Sequence, residues 1–197
     1  MRSANASELP PRLILASSSP QRRAILERFG VAFTVVPANV EELEEGEPGE
    51  VAVENALRKA RAVRAREASA TILGADTLVA LEGRIYGKPV DERHARETLR
   101  ALSGATHTVF SGVALLSSGA HPPERTALAG TEVTFRVLDE QLIDWYVAAG
   151  EWRGRSGGYA IQGVGAALVR AVRGEHENVV GLPVATLLDL CPGLLGR

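Results

Sequence analysis

Residues 13–30 read LILASSSPQRRAILERFG, and this junction decides the fold. Leu13 to Ala16 is an uninterrupted apolar run, as in a strand buried on both faces. Pro20 suits the first turn of a helix, where its missing N–H would have no partner anyway. Ala24, Ile25, Leu26 and Phe29 then supply an apolar stripe, and Gly30 ends the helix. Three serines and two arginines fill the junction. Ser17, Ser18 and Ser19 fit two roles that use the same exposed N–H groups, a helix cap and a phosphate cradle. Cations are disfavoured beside a helix N-terminus, so Arg22 and Arg23 together predict an anion bound nearby.

Outward from this junction, AFTVVPA (32–38) reads as a second strand and NVEELEEGEPGE (39–50) as an acidic loop. Residues 50–68 predict a long helix with Val51, Ala52, Ala56, Leu57 and Ala60 on one side. TILGADTLVALEGRIYGKPV (71–90) predicts a strand, a turn at Glu82–Gly83 and a short return strand. DERHARETLRALSG (91–104) is a helix with Asp91 at its start and Gly104 past its end. HTVFSGVALLSSG (107–119) and ERTALAGTEVTFRVL (124–138) predict two long antiparallel strands joined through AHPP. A helix over 139–150, a glycine-rich loop over 151–165, a strand over 166–174 and a closing helix within 178–195 complete the pattern. Strands alternate with helices early and pair antiparallel later, which predicts a mixed α/β sheet flanked by helices, without repeats.

The chain has 197 residues, 45% hydrophobic and 23% charged, enough for a sizeable core. A net charge of −2 and only nine aromatics argue against a nucleic-acid-binding surface. No run reaches the roughly 20 apolar residues that cross a membrane, and the opening residues lack a secretory pattern. Cys191 is alone, so it predicts a buried thiol in a reducing cytoplasm. The Asn5 glycosylation pattern carries little weight there. His94, His107, His121 and His176 lack metal-ligand spacing, and His107 at a strand start reads as structural. Residues 1–11 read as a poorly ordered tail and 12–197 as one domain.

Chemistry should sit where charge interrupts apolar sequence. Asp76 breaks a strand otherwise uncharged up to Leu81. A buried carboxylate needs a cation or a metal, and a hard divalent ion such as Mg²⁺ fits. Lys59 lies beside the apolar stripe of its helix, either snorkelling or functional. Lys88 sits in a rigid GKP turn. Glu41 and Glu42 follow the second strand, either as solvated face or as ligands. Gln162, in GGYAIQG, has the donors and acceptor to read a base edge. Strand ends are where ligands bind in open α/β sheets, so these groups predict a phosphate site.

The blocks LASSSPQRRAIL, NVEE, LRKARAV, GADTLVALEGRIYGKPVD, LSGATHTVFSGVALL, VTFRVL, GGYAIQG and NVVGLP occur in this order from about Arg12 to Leu190. In this the chain resembles the Maf-type nucleoside triphosphate pyrophosphatases. That resemblance implies a fold similar to the inosine triphosphate pyrophosphatases, a mixed, elongated sheet with an active-site cleft. It implies hydrolysis of a nucleoside triphosphate to monophosphate and pyrophosphate, with Mg²⁺ or Mn²⁺, in a cytoplasmic and often dimeric enzyme. The family's catalytic acid falls on Asp76. Its phosphate and metal residues fall on Ser17, Arg22, Glu42, Lys59 and Lys88, with Glu42 and Asp76 as metal ligands. Asp76 is left open between ligand and general base.

The family's base-preference positions fall on Gln21, Thr77 and Gln162. The branch preferring dTTP and UTP carries Arg, Thr and Gln there, so Gln21 is a departure. The 7-methyl-GTP branch carries Trp at the first position and Glu at the third, and neither is present. A second departure is GRSGGY where the family often has DKAGGY, so that Arg155 replaces a lysine. A pyrophosphatase for modified purine nucleotides, or a nucleotide-sensing protein linked to cell division, are the alternatives.

Overall fold

The structure, a computed structural model, describes residues 12–117 and 123–196. The expected N-terminal tail, the Asn5 pattern, His121 and most of the AHPP connection lie outside the described residues. Seven strands form one sheet: β1 (Leu13–Leu15), β2 (Phe33–Val35), β3 (Thr71–Leu81), β4 (Arg84–Tyr86), β5 (Thr106–Leu116), β6 (Glu124–Phe135) and β7 (Val169–Arg173). Their order is β2-β1-β3-β5-β6-β7, with β4 paired to β3. β1 is parallel to both neighbours and every other pairing is antiparallel. The mixed sheet flanked by helices is therefore as the sequence predicts.

Two helices cover opposite faces of the early strands. Helix α1 (Pro20–Arg28) packs Ile25 and Leu26 against Leu13, Leu15, Leu73 and Ala75. Helix α2 (Pro48–Arg64) packs Ala56, Ala60 and Val63 against Ile14, Ile72 and Ala114. Strand alternation explains the division, since successive side chains point to opposite faces. Helix α2 starts two residues before the predicted boundary, with Pro48 in its first turn and Glu47 as cap. It ends at Arg64, whose guanidinium turns onto the Ala70 carbonyl at 2.8 Å.

Helix α2 lies unusually close to the sheet. A Cβ on Gly74 would stand 2.1 Å from the Ala56 carbonyl oxygen, and one on Gly112 would stand 2.2 Å from that of Ala52. Only glycine fits where backbone meets backbone like this. Helices α3 (Glu92–Leu102) and α4 (Glu140–Ala149), capped by Asp91 and Asp139, cover the far end of the sheet. A cluster of Leu99, Leu102, Phe135, Tyr146 and Leu168 fills the space beneath them. Among the described residues no helix is long and apolar enough to cross a membrane.

Three local expectations differ. Ala24 in α1 and Phe29 just past its end are exposed, because the buried face of this short helix is Arg22, Ile25 and Leu26, an i, i+3, i+4 set. The strand expected from Ala166 begins at Val169. The chain first makes a tight turn over Val164–Leu168, where Gly165 passes so close to Ala160 that a Cβ would meet its carbonyl oxygen at 2.5 Å. A short helix α5 (His176–Val180) precedes the last helix α6 (Val184–Leu190).

Candidate active site

Strand β3 is long and its neighbours on one edge are short. β1 pairs with it at Thr71, Ile72 and Leu73, and β4 pairs only from Val79 to Leu81. Between them the edge of β3 is open in the sheet, at the C-terminal end of β1. Because α1 and α2 leave on opposite faces there, this is a topological switch point, the place where open α/β sheets bind ligands. Asp76 and Thr77 lie on this open stretch and project to opposite faces. The cleft is thus reached from both sides of the sheet.

On the α2 face, buried Asp76 receives the Lys59 ammonium at Oδ1 (2.6 Å) and the Asn55 amide at Oδ2 (3.1 Å). Lys59 also meets Glu42 Oε1 at 2.6 Å, so one ammonium joins two carboxylates. Lys88 approaches the other Glu42 oxygen at 3.7 Å. Burial alone would push the Glu42 pKa up. Its hydrogen bond to Lys59 and the charges of Lys59, Lys88 and Arg22 outweigh burial and hold it below the ordinary carboxylate value. Asn55 ties this cluster together: its Oδ1 accepts from Leu43 N–H (2.7 Å) and its Nδ2 donates to Leu43 C=O (3.0 Å). The acidic segment is thereby fixed to α2 next to Glu42.

On the α1 face, Arg22 is buried at three contacts. Nε donates to Gly181 O (2.8 Å), Nη1 to Ser17 Oγ (3.0 Å) and Nη2 to Thr77 Oγ1 (3.1 Å). Burial lowers the Arg22 pKa, and the charges of Asp76 and Glu42 oppose that shift. The Thr77 hydroxyl also meets Ser111 Oγ (2.7 Å) and Gly181 O (3.2 Å). A hydroxyl has one donor and two acceptor sites, so these three partners use its full capacity. The serines divide the junction's work: Ser19 caps α1, Ser17 props Arg22, and Ser18 is exposed.

Nine of the residues that the sequence singled out line one cavity of about 440 Å³: Ser17, Gln21, Arg22, Glu42, Lys59, Asp76, Thr77, Lys88 and Gln162. The volume is in the range of small-molecule sites. Gln21 Oε1 accepts the Ser19 hydroxyl at 3.1 Å. Arg23 does not join them. It faces solvent and pairs with Glu27 at 2.7 Å, so only one of the two junction arginines faces the site. Glu41 is exposed and also stays out of the cavity. A second cavity of about 540 Å³ adjoins the first and shares Glu42, Asp76 and Lys88 with it.

Sequence reasoning missed Asn55, Ser111 and Gly181. Asn55 had a signal: it lies one helical turn before Lys59 inside the apolar stripe, where an amide needs a buried partner. Ser111 and Gly181 had none, because only strand register and the α5 connection bring them to Thr77. His107 is structural as expected, buried with Nε2 2.9 Å from the Tyr159 hydroxyl. Cys191 is a buried free thiol.

A sequence profile of the family described as "Maf-like protein" matches residues 12–193. The chain belongs to the Maf family. Among similar proteins, one from Deinococcus radiodurans, named dTTP/UTP pyrophosphatase, is 43% identical over 188 residues, covering 95% of each chain. A protein of the same name from Pyrococcus furiosus is 44% identical, covering 91% of this chain and 93% of that one. Another from Anaeromyxobacter dehalogenans is 46% identical, covering 90% and 91%. Of solved structures, a HAM1 protein from Coxiella burnetii is similar with a TM-score of 0.46 and 18% identity, over 63% of this chain and 72% of that one.

Proposed function

We propose that this Maf protein hydrolyses a pyrimidine nucleoside triphosphate, dTTP or UTP, to the monophosphate and pyrophosphate. The observation that carries the reading is the meeting of Arg22, Lys59 and Lys88 with Asp76 and Glu42 in one cavity at the open edge of β3. The names of relatives above 40% identity over nine-tenths of the chain support the substrate. In this reading water attacks the α-phosphorus. The bond from that phosphorus to the bridging oxygen breaks, pyrophosphate leaves, and Asp76 accepts the water's proton. Arg22, Lys59 and Lys88 offset the charge that grows on the departing oxygens, the main task in phosphoryl chemistry.

The donor set suits a hard divalent cation. Asp76 and Glu42 both meet the Lys59 ammonium at 2.6 Å, so the two carboxylates converge on one point, which that ammonium fills in this structure. Two carboxylates plus phosphate oxygens are the ligands that Mg²⁺ or Mn²⁺ takes. Such an ion, if held by Asp76 and Glu42, would supply charge neutralisation on the phosphates, and Asp76 would then serve as its ligand rather than as the base. The reading extends to a homodimer in the cytoplasm; the family resemblance supports the first and the free thiol of Cys191 the second.

The test is a panel of purine and pyrimidine triphosphates with Mg²⁺ or Mn²⁺, read for pyrophosphate, with chelator controls. Pyrophosphate from dTTP and UTP, lost in Asp76→Asn with its circular dichroism unchanged, is expected. Absence of turnover by the wild-type protein, or near-normal rates in Asp76→Asn, overturns the proposal.

A further inference from the structure

Four cationic side chains line the 440 Å³ cavity, Arg22, Lys59, Lys88 and Arg155, against two carboxylates, Glu42 and Asp76. Three of the four are engaged. Arg22 donates to Gly181, Ser17 and Thr77; Lys59 bridges Asp76 and Glu42; Lys88 approaches Glu42. Arg155 is different. Its Nε is buried and has no hydrogen-bond partner, and no carboxylate or carbonyl among the described residues pairs with its guanidinium. A buried donor without an acceptor costs about 1–3 kcal/mol, so such groups in native proteins call for an explanation. A turn of the guanidinium into the cavity that Arg155 lines, onto a ligand that brings its own acceptors, supplies one.

The backbone around Arg155 is held against the reacting groups. Ser156 Oγ donates to the Thr77 carbonyl (2.9 Å), one residue from Asp76, and Gly157 N–H donates to the Gly87 carbonyl (3.1 Å), next to Lys88. Gly157 has φ +68, and a Cβ there would press on the Val79 side chain at 2.7 Å, so the loop keeps this path only with glycine. Arg155 is therefore fixed on the wall that also carries Lys88, with donors left over.

We propose that Arg155 is a substrate-binding residue that grips the polyphosphate of the nucleotide. The planar guanidinium donates in a fork that matches two phosphate oxygens at once, which a lysine at this position would not reproduce. The inference rests on the triphosphate reading of the cavity but concerns a residue outside the set that reading used.

The experiment titrates inorganic tripolyphosphate, a probe without base or sugar, into wild type, Arg155→Gln and Arg155→Lys by calorimetry, with thymidine as the control ligand. Arg155→Gln should weaken tripolyphosphate ~10- to 100-fold and leave thymidine unchanged. Arg155→Lys should recover part of the loss, and the KM for dTTP should follow the same order. Wild-type tripolyphosphate affinity in Arg155→Gln, an equal loss for thymidine, or no recovery in Arg155→Lys overturns the assignment. Failure of the functional reading looks different: the wild-type protein would not release pyrophosphate from any triphosphate, whatever Arg155 does to tripolyphosphate binding.

Discussion

Replacing Gly112 by alanine tests how the fold places the site. Gly112 sits opposite Asp76 in the β3–β5 ladder, on the face that α2 covers. An added Cβ would lie 2.2 Å from the Ala52 oxygen, 2.4 Å from its carbonyl carbon and 2.5 Å from Val53 N. All three are backbone atoms, so no side chain can swing away. To reach an ordinary C–H···O contact the helix must retreat by about 1 Å. The Asn55–Asp76 bond, 3.1 Å at rest, would then pass beyond hydrogen-bond range, and the Lys59–Asp76 contact would stretch. Overpacking costs about 1–3 kcal/mol and a lost hydrogen bond to a buried charge about 1.5–3. A misplacement of this size costs about 100-fold in rate. Urea unfolding and pyrophosphate release measure the two effects. Gly130→Ala is the control: its nearest atoms are side chains at 3.7 Å, so it should change stability by about 1 kcal/mol at most. Gly112→Ala with a wild-type midpoint and undiminished turnover would refute the claim that close backbone contact sets the site.

Asn55→Ala should cost about 2–3 kcal/mol in urea unfolding, because it strands both Leu43 backbone groups and one Asp76 oxygen. Its turnover should fall at least ~10-fold as Glu42 loses its anchor. Ser111→Ala should loosen Arg22 through Thr77 and raise the KM for dTTP, with a stability loss of about 1 kcal/mol. His107 gives a pH signature: burial pushes its pKa down to about 4 from 6.5. Between those values the unfolded chain binds a proton that the native protein refuses. Stability therefore falls as pH drops through that window, by about 3 kcal/mol in full. Urea titrations from pH 7 to pH 4 should show this slope in wild type and its loss in His107→Gln.

The architecture was legible where the period was clear. The stripe of α2 and the alternation in β6 were readable as periods of 3.6 and 2, while β1 and β3, buried on both faces, were readable as near-continuous apolar runs. The turn at 164–168 was not, since AALVRAVRG alternates like a strand while Gly165 and its contact with Ala160 are tertiary matters. The residues that meet in the cavity were legible where charge stood against apolar sequence, as at Asp76, Lys59 and Lys88. Arg22 and Arg23 looked alike because adjacent residues share composition; helical geometry turns one inward and the other to solvent. The engaged state of the Thr77 hydroxyl was invisible, because its partners Ser111 and Gly181 lie 34 and 104 residues away along the chain. That network gives Thr77 a direct hold on Arg22.

Hydrolysis of dTTP in ¹⁸O-labelled water tests the central claim most directly. Attack at the α-phosphorus, beside Asp76, puts the label in dTMP and leaves the pyrophosphate unlabelled. Label in pyrophosphate, or release of labelled orthophosphate, would contradict the account.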